Sequence, residues 1–203
     1  MKIGGFQPFS LIDYPSKIAA VLFTQGCNFR CPYCHNPELV LPELFMPLYE
    51  ESAIWDFLEK RRGRLDGVVV TGGEPTQQPD LLDFAVRVKA MGYLFKLDTN
   101  GSAPEVLREG IARGLFDYVA MDLKAPLEKY AWVAGTPVRV EAVRESMELL
   151  LASSIEHEFR TTYAKDLLTE ADLGVLKAMT SKARKYSVQD CLRAKRLLAE
   201  YAP

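Results

Sequence analysis

The 203 residues are 48% hydrophobic, enough to build one core without disulfide or metal staples, and 25 basic residues face 27 acidic ones. A formal net charge of −2 excludes the broad basic field of a nucleic-acid binder, and no apolar window approaches the roughly eighteen residues of a membrane span. The opening MKIGGFQPFSLIDYP does not read as a secretory signal, and four cysteines with three of them clustered point to metal binding in the cytoplasm rather than to a disulfide framework.

Short runs rich in β-branched and aromatic residues alternate with segments of helical period. After an N-terminal extension at 1–16, the first expected strand is Lys17 to Thr24, followed at once by CNFRCPYC. Gly67 to Thr71 is the second, Tyr93 to Thr99 the third, Asp117 to Leu123 the fourth, Glu158 to Tyr163 the fifth and Lys185 to Gln189 the sixth. Near-continuous apolar runs of this length suit strands covered on both faces. Helical stripes lie between them: Ile54, Phe57 and Leu58; Leu81, Phe84, Ala85 and Val88; Val140, Val143, Met147, Leu150 and Leu151. Thr169, three residues before Asp172, marks a further helix start. A last stripe, Ala194, Leu197, Leu198 and Tyr201, predicts a C-terminal helix over 190–203. The expected fold is α/β, a single domain over 1–203 built as a partial (β/α)6 barrel of parallel strands, with a doubly wound sheet as the other outcome. In either, function gathers at the C-terminal ends of the strands.

The motifs fall at those ends. Cys27, Cys31 and Cys34 follow the first strand with C-x3-C-x2-C spacing. Three thiolates can serve three corners of a [4Fe–4S] cubane and leave one iron open; a zinc site completed by His35 or Cys191 is the structural alternative. TGGEP ends the second strand, where Gly72 and Gly73 allow close backbone approach and Glu74 brings a carboxylate; a plain turn is the other reading. LDTNG ends the third, presenting Asp98 and Thr99. MDLKAP ends the fourth, where Asp122 and Lys124, two apart, either grip an amino acid's ammonium and carboxylate or pair with each other. Arg160 and Gln189 are weaker signals on the last two strands.

The cysteine motif and TGGEP together resemble the signatures of the radical S-adenosylmethionine (SAM) enzymes. Gly4 to Val40, with DTNG and MDLK, resembles the glycyl-radical-activating branch, and within it the activating proteins of anaerobic ribonucleoside-triphosphate reductase. The resemblance implies that Cys27, Cys31 and Cys34 ligate a [4Fe–4S] cluster whose fourth iron takes the amino and carboxylate groups of S-adenosyl-L-methionine. Tyr33 and His35 would lie near the adenine. Gly73 and Glu74, with Gly72 in the same motif, would meet the methionyl amino group, and Asp98, Asp122 and Lys124 would line the ribose and carboxylate side. It further implies reductive cleavage to a 5′-deoxyadenosyl radical, a glycyl-radical enzyme as protein substrate, a reductant such as flavodoxin or ferredoxin, and an anaerobic, cytoplasmic oxidoreductase needing neither nucleic acid nor membrane. A radical enzyme for a small molecule or peptide, and a non-catalytic zinc-binding module, are the competing functions. The ending SVQDCLRAKRLLAEYAP departs from the family pattern, and Cys191, expected as a thiol on the terminal helix, has no role in that pattern.

Overall fold

The computed structural model describes residues 1–191 and Leu198. Seven described strands form one sheet in chain order: β1 (Ile3–Ser10), β2 (Ala19–Thr24), β3 (Gly67–Gly72), β4 (Leu94–Thr99), β5 (Tyr118–Asp122), β6 (Glu156–Tyr163) and β7 (Tyr186–Asp190). β2 to β7 pair in parallel, and β1 is antiparallel to β2 at the edge. Among these strands the sheet stays open, since β1 and β7 are not paired with each other. All six expected strands form. The segment 1–16, expected as an extension, contributes β1, an edge strand of the same sheet.

The crossovers carry α1 (Glu51–Lys60), α2 (Leu81–Ala90), α3 (Pro104–Ala112), the short α4 (Tyr130–Ala134) with α5 (Val140–Ala152), and α6 (Glu170–Met179). Their apolar stripes bury Ile54 and Leu58, Leu81 and Phe84, and Val143 and Leu150 against one face of the sheet, where Leu22, Val70, Leu97 and Met121 complete the main core. α6 starts as its sequence implies: Thr169 accepts from the Asp172 backbone N–H and the Asp172 side chain accepts from the Thr169 N–H, a reciprocal cap. The stripe from Ala194 to Tyr201 lies, apart from Leu198, outside the described residues. Cys191 follows β7 outside any helix and donates its N–H to Tyr163 O (3.1 Å), so its expected helical setting is corrected.

The second face of the sheet changes character along the strands. Ala19, Val21, Val69 and Ala120 make a small apolar cluster with Tyr118 and Tyr14. Tyr14 comes from the turn after β1, and its ring packs on Tyr118 at 5.8 Å. Registers place Val69 beside Lys96, Lys96 beside Tyr118, and Asp122 beside Arg160. Alternation of side chains along a strand then puts Lys96, Asp98, Asp122 and Arg160 on this same face, toward the C-terminal ends. The face is thus apolar at its foot and ionic at its rim, and the rim is where the chain must accept something polar.

Candidate active site

The cysteine loop leaves β2 after Thr24 and is tied at several points. Gly26 donates its N–H to Leu39 O (2.8 Å), Cys34 to Cys31 O (2.9 Å) and Arg30 to Ala134 O (2.8 Å). The Arg30 guanidinium turns back on its own loop, its Nη1 donating to Cys27 O (2.6 Å) and Phe29 O (2.9 Å). Leu198, buried, donates its N–H to Cys34 O (3.0 Å). The loop is therefore held by backbone from Leu39, from the end of α4 and from Leu198 near the C-terminus.

TGGEP packs against that loop. Gly72 has φ +111, in the left-handed region, and Gly73 donates to Thr24 O (2.9 Å). A Cβ on Gly73 would stand 2.1 Å from Gly26 O, so only glycine lets β3 end so close to the cysteine loop. Glu74, 1% exposed, turns inward. Its Oε1 accepts from Thr76 N (3.1 Å), Thr76 Oγ1 (2.6 Å) and Thr99 Oγ1 (2.7 Å), and its Oε2 accepts from Asn100 N (2.7 Å). Burial pushes the Glu74 carboxyl pKa up, against these bonds. The carboxylate thus clamps the end of β3 to the end of β4. Four protein donors engage the carboxylate that the resemblance assigns to the methionyl amino group. From the other side Asn100 Nδ2 donates to Asn28 Oδ1 (2.9 Å), which joins β4 to the cysteine loop.

A chain of charges crosses the rim. Lys96 Nζ is bonded to Asp98 Oδ1. Arg160 donates from Nη1 to Asp98 Oδ2 (3.1 Å) and from Nε to Asp122 Oδ1 (2.9 Å), and Lys124 Nζ meets Asp122 Oδ2 (3.1 Å). Three cations and two carboxylates leave one positive charge in excess. Burial alone would raise the Asp122 carboxyl, but the Arg160 guanidinium and the Lys124 ammonium outweigh it and hold the pKa well below the usual range. Of the two readings of Asp122 and Lys124, the structure shows the pair joined to each other, with both still facing a pocket.

That pocket collects the residues that the resemblance assigns to cluster and cofactor: Cys27, Cys31 and Cys34, Tyr33 and His35, Gly72, Gly73 and Glu74, and Asp98, Asp122 and Lys124. Thr71, Asn100 and Thr162 join them from the ends of β3, β4 and β6. Gln189 and Cys191 are not among its lining residues. Lys96, which was not singled out from the sequence, joins the chain of charges through Asp98, although its spacing of two from Asp98 within an apolar run was a signal for a shared face.

The thiols are shielded. Burial, with the Glu74 charge next, pushes Cys27 up to about 12, and burial likewise raises Cys31 and Cys34. Ligation must therefore displace protons. Among the described residues no three His, Cys, Asp or Glu groups close around a point as they would for a single metal ion. Three soft sulfur donors arrayed along one loop beside an open polar pocket fit a larger, thiolate-held cluster with a free side. The Tyr33 hydroxyl, buried at the same place with no hydrogen-bond partner, fits an absent acceptor there.

Residues 21–168 match the Radical SAM superfamily. A Methanocaldococcus jannaschii protein named, provisionally, a glycyl-radical enzyme activating enzyme is 34% identical over 193 residues, covering 92% of this chain and 78% of that protein. The pyruvate formate-lyase-activating enzyme of Clostridium pasteurianum is 33% identical over 137 residues, 61% of this chain and 52% of that enzyme. Among solved structures, SuiB of Streptococcus suis superposes with a TM-score of 0.65 at 15% identity, covering 89% of this chain and 44% of that one. Native anSMEcpe with bound AdoMet gives 0.65 at 17% identity over 83% of this chain and 50% of that one. At such identities these two likenesses speak for the fold alone.

Proposed function

The chain belongs to the radical SAM superfamily, and from that membership we propose that it activates a glycyl-radical enzyme, using a [4Fe–4S] cluster and S-adenosylmethionine. When bound, the cluster supplies the electron that cleaves the sulfonium cofactor to methionine and a 5′-deoxyadenosyl radical able to take hydrogen from a glycine of the partner. The chain's own residues do the rest. Cys27, Cys31 and Cys34 hold three corners of the cluster. Gly72 and Gly73 let backbone approach the methionyl amino group while Glu74 keeps the ends of β3 and β4 in place. Asp98, Asp122 and Lys124 line the ribose and carboxylate side, and the surplus positive charge of their chain favours the carboxylate. Tyr33 and His35 flank the adenine. The observation that carries this reading is that three thiols and four strand ends share one pocket.

The activating role is favoured by the first of the relatives above, which matches over nearly the whole chain. The partner is a large glycyl-radical enzyme of the kind activated in anaerobic ribonucleotide reduction, the electron comes from a flavodoxin or ferredoxin, and the setting is cytoplasmic. No helix among the described residues is long and apolar enough to cross a membrane.

The test is anaerobic reconstitution with iron and sulfide, followed by incubation with a reductant, S-adenosylmethionine and candidate partners. The expected results are a brown protein, 5′-deoxyadenosine, and a glycyl radical in the electron paramagnetic resonance spectrum of the partner. Cys31→Ala should abolish cofactor cleavage; undiminished cleavage would contradict the cluster assignment. Cleavage with no radical on any protein would move the target to a small molecule or peptide, and a colourless protein with one zinc per chain would remove the chemistry altogether.

A further inference from the structure

Seven of the eleven large apolar side chains exposed among the described residues fall in 9–18 and 46–49. Scattered singly they would need no explanation; gathered on one side of the molecule they do. β1 gathers them. It starts at the rim, where Ile3 pairs with Thr24, and ends at the foot, where Ser10 pairs with Ala19. At its start Tyr49 donates its N–H to Ile3 O (2.8 Å), and Met46 O accepts from Gln25 Nε2 (2.7 Å). The Phe6 ring lies 6.2 Å from Tyr49 and 5.1 Å from Phe57. Toward the foot a groove is lined by Phe9, Ile18, Phe57 and Leu65, with Arg61 and Arg64. An apolar seam thus runs the length of β1, about 25 Å at roughly 3.3 Å per residue. That is too long for a small ligand and has the extent of a protein footprint.

Charge divides the seam. At the foot KRRGR puts four cations into residues 60–64. Arg62 pairs with Glu59. Lys60, Arg61 and Arg64 form no ion pair among the described residues, and the Arg61 guanidinium lies over the Phe57 ring at 5.4 Å. A helix C-terminus favours cations, which accounts for Lys60 at the end of α1 but not for Arg64 beyond it. At the rim, Glu43 and Glu50 are exposed. A lipid surface carries one sign of charge and cannot match both ends; a protein surface can. The upper end of the seam adjoins the pocket. Val40 lines that pocket, and Met46 is held by Gln25, two residues before Cys27. A protein that brings a glycine into the pocket must rest on the surface beside its mouth.

We infer that the seam along β1 is where the glycyl-radical enzyme docks. The partner's matching surface is apolar along its middle, acidic opposite Lys60, Arg61 and Arg64, and free of acidic groups opposite Glu43 and Glu50. The inference rests on the activating role proposed above and adds the surface that role uses. The cations act on encounter and orientation rather than on the chemistry, and the two charged ends fix which way the partner lies over the pocket.

The experiment compares the reconstituted wild-type protein with two double variants, Arg61→Glu/Arg64→Glu and Met46→Ser/Leu48→Ser. The substrates are the anaerobic ribonucleoside-triphosphate reductase of the same organism and a short peptide carrying its radical glycine. With the whole reductase each variant should raise KM about tenfold or more while kcat holds, and the charge-reversed variant should lose the salt dependence of wild type. With the peptide, and in S-adenosylmethionine cleavage without any partner, both variants should equal wild type. An unmoved KM for the reductase overturns the inference. So does an equal rise for the peptide, which would place these side chains in the work of the pocket itself. With KM unmoved, a wild-type dimer in sedimentation that both variants break would give the seam to a second copy of the chain, and binding to phosphatidylglycerol vesicles lost in both variants would give it to a membrane; either overturns the inference. A wild-type protein that cleaves the cofactor but raises no radical on the reductase refutes the activating role, and the docking falls with it. A radical formed with KM unmoved by both variants refutes the docking alone.

Discussion

Glu74 shows what a single side chain does at this rim. A carboxylate can accept at both oxygens, and this one meets four donors from three residues, two of them backbone N–H groups. Water reaches almost none of it, so each bond must be judged by what replaces it when it is lost. Glu74→Gln preserves shape but exchanges one acceptor oxygen for an NH2 group. If the NH2 faces Asn100 it meets an N–H donor; if it faces Thr76 and Thr99 it meets the backbone N–H of Thr76. Leaving one buried donor unpaired costs about 1–3 kcal/mol. Urea unfolding of the cluster-free variant should show a loss of that size, and S-adenosylmethionine binding should weaken because the ends of β3 and β4 are no longer clamped. Wild-type stability in the variant would show that the clamp is dispensable.

At the scale of elements, α6 offers a test with a pH sign. Asp172 accepts from Lys129 Nζ (2.8 Å), from the Thr169 N–H (2.8 Å) and from Thr169 Oγ1 (2.8 Å). Lys129 first, and the Thr169 backbone next, pull its pKa down to about 2. A carboxyl with a depressed folded pKa stabilises fully above its unfolded value, about 3.9, and loses that contribution as pH falls through the folded value. Wild type should thus be more stable than Asp172→Asn at pH 7, and the gap should close as pH falls from about 4 toward 2. A gap that persists at pH 2 would show that the carboxylate's charge is irrelevant to the cap. This helix start was legible because T-x-x-D ahead of an apolar run names a local geometry. The six parallel strands were legible because burial on both faces leaves an apolar run that needs no periodicity. β1 was not: IGGFQPFS carries two glycines and a proline, and Pro8 is tolerated because it lies in an edge strand, within a break in register between Gln7 and Ser10. α3 was not either. Its stripe is interrupted at Gly110, where the Phe116 ring comes within 2.1 Å of where a Cβ would be, so the residue that looks like a helix breaker is a packing surface. The pocket residues were readable as motifs at strand ends, but the chain of charges that orders them depends on register across three strands, which no local pattern states.

At the scale of the whole molecule, an open sheet has to keep its rim in shape without the closure that would fix a complete barrel. Apolar packing holds the foot of the second face through Tyr14 and Tyr118, but the same means would ruin a rim that must receive a charged cofactor. The ionic chain from Lys96 to Lys124 takes its place, and Arg160 is its central link, with one guanidinium bonded to carboxylates of β4 and β5 from β6. A planar fork suits that double contact as an ammonium does not. In Arg160→Ala each carboxylate keeps one lysine, Asp98 through Lys96 and Asp122 through Lys124, and Asp122 stays a third exposed. The loss should therefore fall at the lower end of the range for breaking a buried ion pair, about 3 kcal/mol. Arg160→Lys should recover part of it, because charge returns but only one carboxylate can be well met. Urea unfolding of the cluster-free proteins measures both. Equal losses in the two variants would mean that the fork adds nothing beyond its charge, and no loss in either would mean that packing alone holds the rim.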